Sequence, residues 1–183
     1  MKTVIVLRHA KSDWSDSALR DFDRGLNDRG CRAAAVMGRW SALQKLHFDA
    51  VIASPAVRVI ETLRQFREAY GPCPAPDYDL RLYLAAASTI TDVLAETEET
   101  KASVLLAGHS PGLEDLILTA TGREARPGLR DSVGTKFPTA AMAMLDLDVD
   151  GWADLRNGIE GRATLRAFVR PRDLDPALGP DQR

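Results

Sequence analysis

The sequence predicts a single α/β domain, a three-layer sandwich in which a mainly parallel central sheet carries helices on both faces. Short apolar runs alternate along the chain with longer segments of helical periodicity, which is typical of such sheets. The 183 residues suffice for one core of ordinary size, and neither an internal repeat nor a second domain is visible. We expect residues 1–170 to form the domain and residues 171–183, rich in Pro and Asp, to form a loosely ordered tail.

The first half of the chain alternates strand and helix signals. Residues 3–9 form an apolar run that ends in charge, as buried parallel strands do, and Asn27 is a suitable cap for a helix reaching about residue 46. Residues 49–53 predict the second strand. Ser54-Pro55 then places a capping hydroxyl before a proline, which predicts a helix from there to about residue 70, followed by a Pro-rich surface connection.

The second half repeats this alternation. Ser88 is a candidate cap for a helix to about residue 98, and residues 103–108 predict the third buried strand. Ser110-Pro111 again predicts a helix start, and that helix is expected to end near residue 122. The polar, Arg-rich residues 123–136 are predicted to form a long loop. Two further strands, at about 140–149 and 163–169, complete the predicted sheet.

Composition narrows the class of protein. The 24 basic and 26 acidic residues give a net charge of −2, which argues against coating nucleic acid or an anionic membrane. Cys31 and Cys73 do not form a disulfide framework, so we expect both thiols to be reduced. The opening apolar run is too short for a signal peptide, and no run approaches the ~20 residues of a membrane-spanning helix. We therefore expect a cytoplasmic protein that binds neither nucleic acid nor membrane.

Three predicted strands end in residues that bind anions or attack them. The first ends in Arg8-His9, the second leads to Arg58 in the following helix, and the third ends in Gly-His109-Ser-Pro. Ligands bind beyond the carboxyl ends of such strands, where arginine forks and helix N-termini hold phosphate. A neutral imidazole is a competent nucleophile, so the set predicts phosphoryl transfer through a phosphohistidine. The arginines, and the second imidazole if protonated, would stabilise the transition state without a metal.

Five motifs in order resemble the histidine phosphatase superfamily, and specifically its SixA-type phosphohistidine phosphatases. They are Leu-Arg-His-Ala-Lys-Ser-Asp-Trp at 7–14, Asp-Arg-Gly-Leu-Asn-Asp-Arg-Gly at 23–30, Ser-Pro-Ala-Val-Arg at 54–58, Gly-His-Ser-Pro at 108–111 and Phe-Pro-Thr-Ala at 137–140. The resemblance implies a phosphoglycerate-mutase-like fold with an antiparallel C-terminal strand. It also implies an enzyme that needs neither cofactor nor metal.

The resemblance also implies a role for each matching residue. His9 is expected to be the nucleophile, with Arg8 and Arg58 binding the phosphoryl oxygens. His109 is expected to complete the pocket, to bind substrate and to share proton transfer. Arg24 is expected to be a further substrate-binding residue near the phosphate. The catalytic set is therefore His9, Arg8, Arg58 and His109, and all but His9 belong with Arg24 to the substrate-binding set.

The chain departs from the family pattern at three places. Gly25 stands where the family has Pro, and Ser110 stands where it commonly has Asn. No glutamate occupies the segment 79–83, where phosphoglycerate mutases carry their general acid, which leaves Asp79 as the candidate acid. An enzyme without a strong acid favours a leaving group such as imidazole, which solvent can protonate.

These observations predict a phosphatase of protein phosphohistidine, with a histidine-relay domain as one candidate partner. A phosphatase of small phosphorylated metabolites is the alternative within the same superfamily. A non-catalytic module that binds phosphate or phosphoprotein is the alternative outside enzymes. The intact pair of His9 and His109 with its arginines argues against the module.

Two other motifs suggest different chemistry. Residues 108–112 fit the nucleophile elbow of serine hydrolases, but Pro111 lacks the N–H that the oxyanion hole requires, and no histidine follows the serine. Residues 146–151 resemble the start of a calcium loop, yet Asn157 occupies the position that requires glutamate. Strand alternation explains that acidic run, with Leu145, Leu147 and Val149 facing inward.

Several polar or aromatic residues have no assigned chemistry. His47 is predicted to lie on the surface. Asp13 and Trp14 are predicted to line the mouth of the pocket, with a packing role as the alternative for Trp14. The basic residues of the segment 123–130, Arg123, Arg126 and Arg130, are predicted to be solvated, with docking of an anionic partner as the alternative.

Overall fold

The computed structural model describes residues 1–179, and within them seven strands form one mixed sheet. The strands are β1 (Lys2–Arg8), β2 (Ala50–Ala53), β3 (Pro76–Tyr78), β4 (Ser103–Gly108), β5 (Thr121–Glu124), β6 (Met142–Leu147) and β7 (Ala163–Val169). Their order across the sheet is β3-β2-β4-β1-β6-β7-β5. The pairs β1–β4, β2–β4 and β2–β3 are parallel, whereas β6 runs antiparallel to both β1 and β7. The predicted mainly parallel sheet with antiparallel pairing near the C-terminus is confirmed.

Helices cover both faces of the sheet, as predicted. They are α1 (Asp28–Leu43), α2 (Val57–Tyr70), α3 (Ala87–Ala95), α4 (Gly112–Ala120), α5 (Leu129–Thr135) and α6 (Pro171–Leu174). Buried side chains of α1 and α2 share one core with one face of the sheet, and those of α3, α4 and α5 share a second core with the other face. Alternate residues of β1 enter the two cores, which is the period-two pattern of a strand buried on both faces.

The helix α1 begins as its sequence predicts. The side chain of Asn27 accepts a hydrogen bond from the Gly30 N–H at 2.8 Å, which satisfies one of the free donors of the first turn. Farther along, a Cβ on Gly38 would come within 2.2 Å of the carbonyl oxygen of Phe66 on α2. Only glycine permits this close approach of the two helices.

The start of α2 differs from the prediction. The helix begins at Val57 with Ala56 as its cap, two residues after the predicted Ser54-Pro55 start. Ser54 is buried, and its hydroxyl is the partner of a histidine described below. The other two predicted caps were also wrong, because α3 begins at Ala87 and α4 at Gly112, in neither case with a side-chain cap.

The segment predicted as one long loop, 123–136, contains regular structure. The strand β5 pairs with β7 at the edge of the sheet, and α5 follows after Gly128, whose φ of 83° only glycine adopts readily. Leu129 and Val133 lie four residues apart on α5 and are both buried. Burial of these two side chains stabilises α5, although the polar composition of the segment predicts a loop.

The expected loosely ordered tail differs from the structure over residues 171–179. Here α6 and a following helical turn lie against the domain, with Pro171 and Leu178 buried. The Arg29 side chain donates a hydrogen bond to the Leu178 carbonyl at 3.0 Å, which ties the segment to α1. Residues 180–183 of the predicted tail lie outside the described part of the chain. Every helix within residues 1–179 is too short or too polar to cross a membrane.

Candidate active site

The sheet order brings the three predicted strand ends together. Arg8 at the end of β1 is in register with Gly108 at the end of β4, and β4 pairs on its other side with β2. Each strand therefore delivers its following residue to the same edge, where His9, His109 and Ser54 lie. This confirms that the two histidines are neighbours, since their ring centroids are 5.3 Å apart.

A cavity of about 620 Å³ opens at this edge. The cationic side chains among its lining residues are Arg8, Lys11, Arg29, Arg58, Lys136, Arg170 and Arg172. Within residues 1–179 its one acidic lining residue is Asp21. His9 also lines the cavity. The protein as a whole is slightly acidic, so the excess of positive charge is local to this site.

His9 is held in one tautomer. Its Nδ1 lies 2.7 Å from the carbonyl oxygen of Ala10, and because a carbonyl can only accept, Nδ1 must carry the proton. The lone pair is therefore on Nε2. Burial, reinforced by the positive charges of Arg58 and Arg8, lowers the pKa of His9 to about 4 against the opposing effect of the Ala10 hydrogen bond. The ring is neutral at pH 7 and is able to act as a nucleophile.

His109 has the opposite tautomer. The Arg58 guanidinium, which can only donate, contacts Nδ1 of His109 at 3.2 Å, so this nitrogen accepts. Its Nε2 then carries the proton and donates to the Ser54 hydroxyl at 2.8 Å. Burial, with the nearby His9 and Arg58, lowers the pKa of His109 to about 3. The second imidazole is therefore neutral in the substrate-free protein and does not supply the positive charge that a protonated ring would.

Arg58 is buried and held by a carboxylate that sequence reasoning missed. Its Nη1 donates to the Asp21 backbone carbonyl at 2.6 Å and its Nη2 to the Asp21 Oδ2 at 2.9 Å. The Tyr83 hydroxyl donates to the same Oδ2 at 2.6 Å, and the Tyr83 ring meets His109 edge-on at 5.5 Å. These hydrogen bonds hold the pKa of Asp21 below its usual range, against the opposing effect of burial. Asp21 lies just before the predicted motif at 23–30, and its place beside this motif is the one feature of the sequence that points to a role in the site.

Arg8 connects β1 to the loop that carries the fifth motif. Its Nη1 donates to the Phe137 carbonyl at 2.6 Å, and its Nε is buried without a hydrogen-bond partner among the described residues. The Ala140 N–H of the same loop donates to the His9 carbonyl at 3.0 Å. Ala140 is buried and has a φ of 60°, a left-handed backbone that costs about 1 kcal/mol or more for a residue other than glycine. The loop therefore positions both residues of the Arg8-His9 pair.

Comparisons with known proteins agree with this geometry. Residues 4–82 match the model of the histidine phosphatase superfamily, branch 1. The Mycobacterium tuberculosis protein Rv1276c, whose function is uncharacterized, is 33% identical over 170 residues, covering 91% of this chain and all of the relative. The chain belongs to the histidine phosphatase superfamily. Membership supports a phosphatase activity.

Within this superfamily the chain is similar to SixA proteins. The Escherichia coli phosphohistidine phosphatase SixA is 28% identical over 156 residues, covering 81% of this chain and 87% of the relative. A crystal structure designated as the phosphohistidine phosphatase SixA of Agrobacterium tumefaciens superposes with a TM-score of 0.76 at 29% identity. That match covers 93% of this chain and 98% of the other. The fold is therefore the phosphoglycerate-mutase-like fold of the family.

The substrate-binding role that the resemblance implies for Arg24 stays a prediction. Arg24 is nine-tenths buried and, like His109, is not among the residues that line the cavity. Its Nη1 donates to the Asp16 carbonyl at 3.0 Å, and its guanidinium stacks 4.3 Å from the centre of the Trp14 ring. Arg24 therefore holds the loop between β1 and α1. Trp14 lines the cavity, as predicted, and it also packs on Arg24. Its side chain remains two-thirds exposed.

Asp79 is not placed to act as a general acid. Its carboxylate caps a short helical turn by accepting from the Arg81 N–H at 2.8 Å, and it also binds the Arg81 guanidinium. Arg81 in turn pairs with Glu96. The hydrogen bonds from Arg81 lower the pKa of Asp79, so it is ionised, and it does not line the cavity.

The competing motifs have structural explanations. The Ser110 hydroxyl is buried and has no hydrogen-bond partner within residues 1–179, so no base activates it as in a serine hydrolase. Leu145, Leu147 and Val149 are buried, which confirms the strand explanation of the acidic run. His47 is exposed and pairs with its neighbour Asp49, as expected of a surface residue.

The neutral histidine pair predicts a specific pH dependence of stability. Both rings are neutral in the folded protein down to about pH 4 and 3, whereas in the unfolded chain they gain protons below about pH 6.5. The unfolded state therefore binds more protons between these limits, and the free energy of unfolding should fall as pH decreases from about 6.5 to 4. The expected slope approaches about 2.7 kcal/mol per pH unit for two protons.

Urea unfolding at several pH values measures that slope. The double variant His9→Gln/His109→Gln is the control, and its stability should vary less over the same interval. Nitrogen-15 NMR should in addition show Nδ1–H on His9 and Nε2–H on His109 at pH 6. Protonation of both folded rings near pH 6.5 would contradict the prediction.

Proposed function

We propose that this histidine phosphatase hydrolyses protein phosphohistidine through a phospho-His9 intermediate without a metal ion. The observation that carries the proposal is the fixed tautomer of His9. Its Nδ1 proton is held by the Ala10 carbonyl, so the nucleophilic Nε2 lone pair belongs to a side chain that lines a strongly basic cavity.

The reaction has two steps. In the first, the far nitrogen of the substrate imidazole takes a proton from solvent, the Nε2 lone pair of His9 attacks phosphorus, and the bond from phosphorus to the substrate nitrogen breaks to release neutral imidazole. In the second, water attacks the phosphorus of phospho-His9, the N–P bond breaks, and inorganic phosphate leaves as the second water proton passes to solvent. The Ala10 carbonyl stabilises the positive charge that phosphorylation places on the His9 ring.

Arginines supply the positive charge that a metal ion supplies in many other phosphoryl-transfer enzymes. Arg8 and Arg58 line the same cavity as His9. Arg8 is fixed by the Phe137 carbonyl and Arg58 by Asp21. Such preorganised donors stabilise the charge that spreads over the equatorial oxygens of the transition state. Ser54 fixes the ring of His109 beside them.

The acid–base groups favour phosphohistidine over alkyl phosphate. An alkoxide leaving group requires a proton donor, yet the one acidic lining residue among residues 1–179 is Asp21, an ionised carboxylate occupied by Arg58 and Tyr83. An imidazole leaving group takes its proton from solvent at the far ring nitrogen, so it needs no donor from the protein. The SixA relatives, designated as phosphohistidine phosphatases, support the same substrate class. We place the reaction in the cytoplasm, where phosphorylated relay proteins are accessible.

The experiment compares three phosphate donors at equal concentration in the presence of EDTA. We expect turnover of a phosphohistidine protein and of an aryl phosphate to persist with EDTA, and turnover of an alkyl phosphate to be at least about 100-fold slower, which is the typical contribution of a general acid. Equal rates for alkyl phosphate and phosphohistidine would contradict the substrate proposal. Loss of all turnover on chelation would contradict metal independence.

A further inference from the structure

The cavity extends well beyond the residues that the proposed reaction uses. Arg8 and Arg58 account for two of its cationic lining residues, and we call the other five the rim cations. These rim cations are Lys11, Arg29, Lys136, Arg170 and Arg172. One phosphoryl group is too small to contact all seven cationic side chains, which indicates that a second part of the substrate is also anionic.

The rim cations differ in how they are engaged. Arg170 is bound through two nitrogens to the Asp173 carboxylate, and Arg29 donates to the Leu178 carbonyl. In contrast, Lys136 and Arg172 are exposed, and neither side chain forms a hydrogen bond or ion pair within the part of the chain that the structure describes. These two side chains are the rim cations with donors available to a ligand.

Both residues are mounted on parts of the chain that are fixed to the cavity wall. Lys136 directly follows α5 and precedes Phe137, whose side chain is buried and whose carbonyl holds Arg8. Arg172 lies in α6, which begins at the buried Pro171 and is followed by the buried Leu178. The segment 170–178 thus serves as one wall of the cavity and carries a charge to its entrance.

We propose that Lys136 and Arg172 form a second anion subsite, which selects substrates that carry another carboxylate or phosphate close to the transferred phosphoryl group. The inference rests on the proposed function, since it assigns the substrate chemistry of the same cavity. The shared chemistry is an oxyanion, and it has two sources: an acidic side chain beside a phosphohistidine, or a second anionic group on a small molecule. The local positive field also attracts such substrates before they bind.

Paired substrates test the subsite. One pair consists of phosphohistidine peptides whose flanking residues are either Glu or Gln, and the other consists of aryl phosphates with and without a carboxylate. Wild-type enzyme should prefer the more anionic member of at least one pair, and the pair that shows the preference identifies the source. In the double variant Lys136→Gln/Arg172→Gln, the ratio of the two kcat/KM values should fall about five- to tenfold, which is typical of two exposed charge contacts.

A control variant removes one positive charge away from the cavity. Arg126 is exposed and does not line the site, so Arg126→Gln should leave the ratio unchanged. A ratio that is equal in wild type and in the double variant for both pairs overturns the subsite, even when all substrates are turned over. A ratio that falls equally in Arg126→Gln assigns the effect to net charge and also overturns it.

Binding measured without turnover separates this inference from the proposed function. Calorimetry compares tripolyphosphate with orthophosphate on wild-type protein and on the double variant. The wild type should bind tripolyphosphate more tightly than orthophosphate. In the double variant, the ratio of the two dissociation constants should be about five- to tenfold smaller. This result would support the subsite even if no phosphohistidine were hydrolysed, whereas an unchanged difference would overturn it even in an active phosphatase.

Discussion

His9→Ala should lower phosphatase turnover by at least about 10⁴-fold, because removal of a covalent nucleophile leaves only the contribution of the binding groups. Rapid quench of the wild-type enzyme with a labelled phosphate donor should trap a protein adduct that is labile in acid and stable in base, as phosphohistidine is. The variant should form no such adduct. His47→Ala is the matched control, since His47 is an exposed histidine that does not line the cavity, and it should retain both turnover and adduct.

The yield of the adduct in the two proteins distinguishes the possible nucleophiles. An adduct of equal yield in His9→Ala would show that another residue attacks phosphorus. A wild-type enzyme that turns over substrate without a trapped adduct in the millisecond range would indicate direct attack by water. Either result would require a different role for the fixed His9 tautomer.

Arg58→Gln should lower kcat/KM by about 10³-fold, at the upper end of what one preorganised donor to a developing anion contributes. We expect an effect at this upper end because the Arg58 guanidinium lines the cavity and also contacts Nδ1 of His109. Its loss therefore also removes a hydrogen bond that fixes the His109 ring. Arg58→Lys should recover only part of the activity, since an ammonium has no planar fork with which to bind both partners.

The control for Arg58 is Arg123→Gln, an exposed arginine on the edge strand β5. Its kcat/KM should stay within about twofold of wild type, because it lies outside the cavity lining. Urea unfolding of Arg58→Gln accompanies the kinetics, since Arg58 is buried and its removal leaves Asp21 without its ion pair. A folded Arg58→Gln enzyme with kcat/KM within tenfold of wild type would rule out the assigned role.

The positions of both histidines were predictable because strand ends are strong signals. A buried apolar run that stops at a charged residue marks the end of a parallel strand, and parallel strands bring their carboxyl ends to one edge. Arg8, His9 and His109 follow from that rule, and Arg58 from the helix after β2. Helix starts were less predictable, because Ser54 resembles a cap although its hydroxyl is taken by His109.

The remaining differences come from contacts between segments distant in the chain. The residue type of Arg24 and its position in the motif at 23–30 predict a phosphate ligand. Its contacts with the Trp14 ring and the Asp16 carbonyl depend on how the loop between β1 and α1 folds. The helix α5 depends on two buried residues in a polar segment, and the placement of residues 171–179 depends on burial of Leu178 against α1. Neither local propensity nor periodicity reports such contacts.

The pairing of Arg58 with Asp21 makes phosphate binding an exchange of one anion for another. Before any ligand arrives, Nη1 of Arg58 donates to the Asp21 backbone carbonyl and Nη2 donates to the Asp21 carboxylate. A phosphoryl group that takes the Nη2 donor must displace that carboxylate, so the net affinity gained is smaller than the contact itself. The same carboxylate is available to reoccupy the guanidinium when the N–P bond has been hydrolysed. We therefore expect Asp21 to compete with inorganic phosphate for Arg58 and to weaken retention of the product.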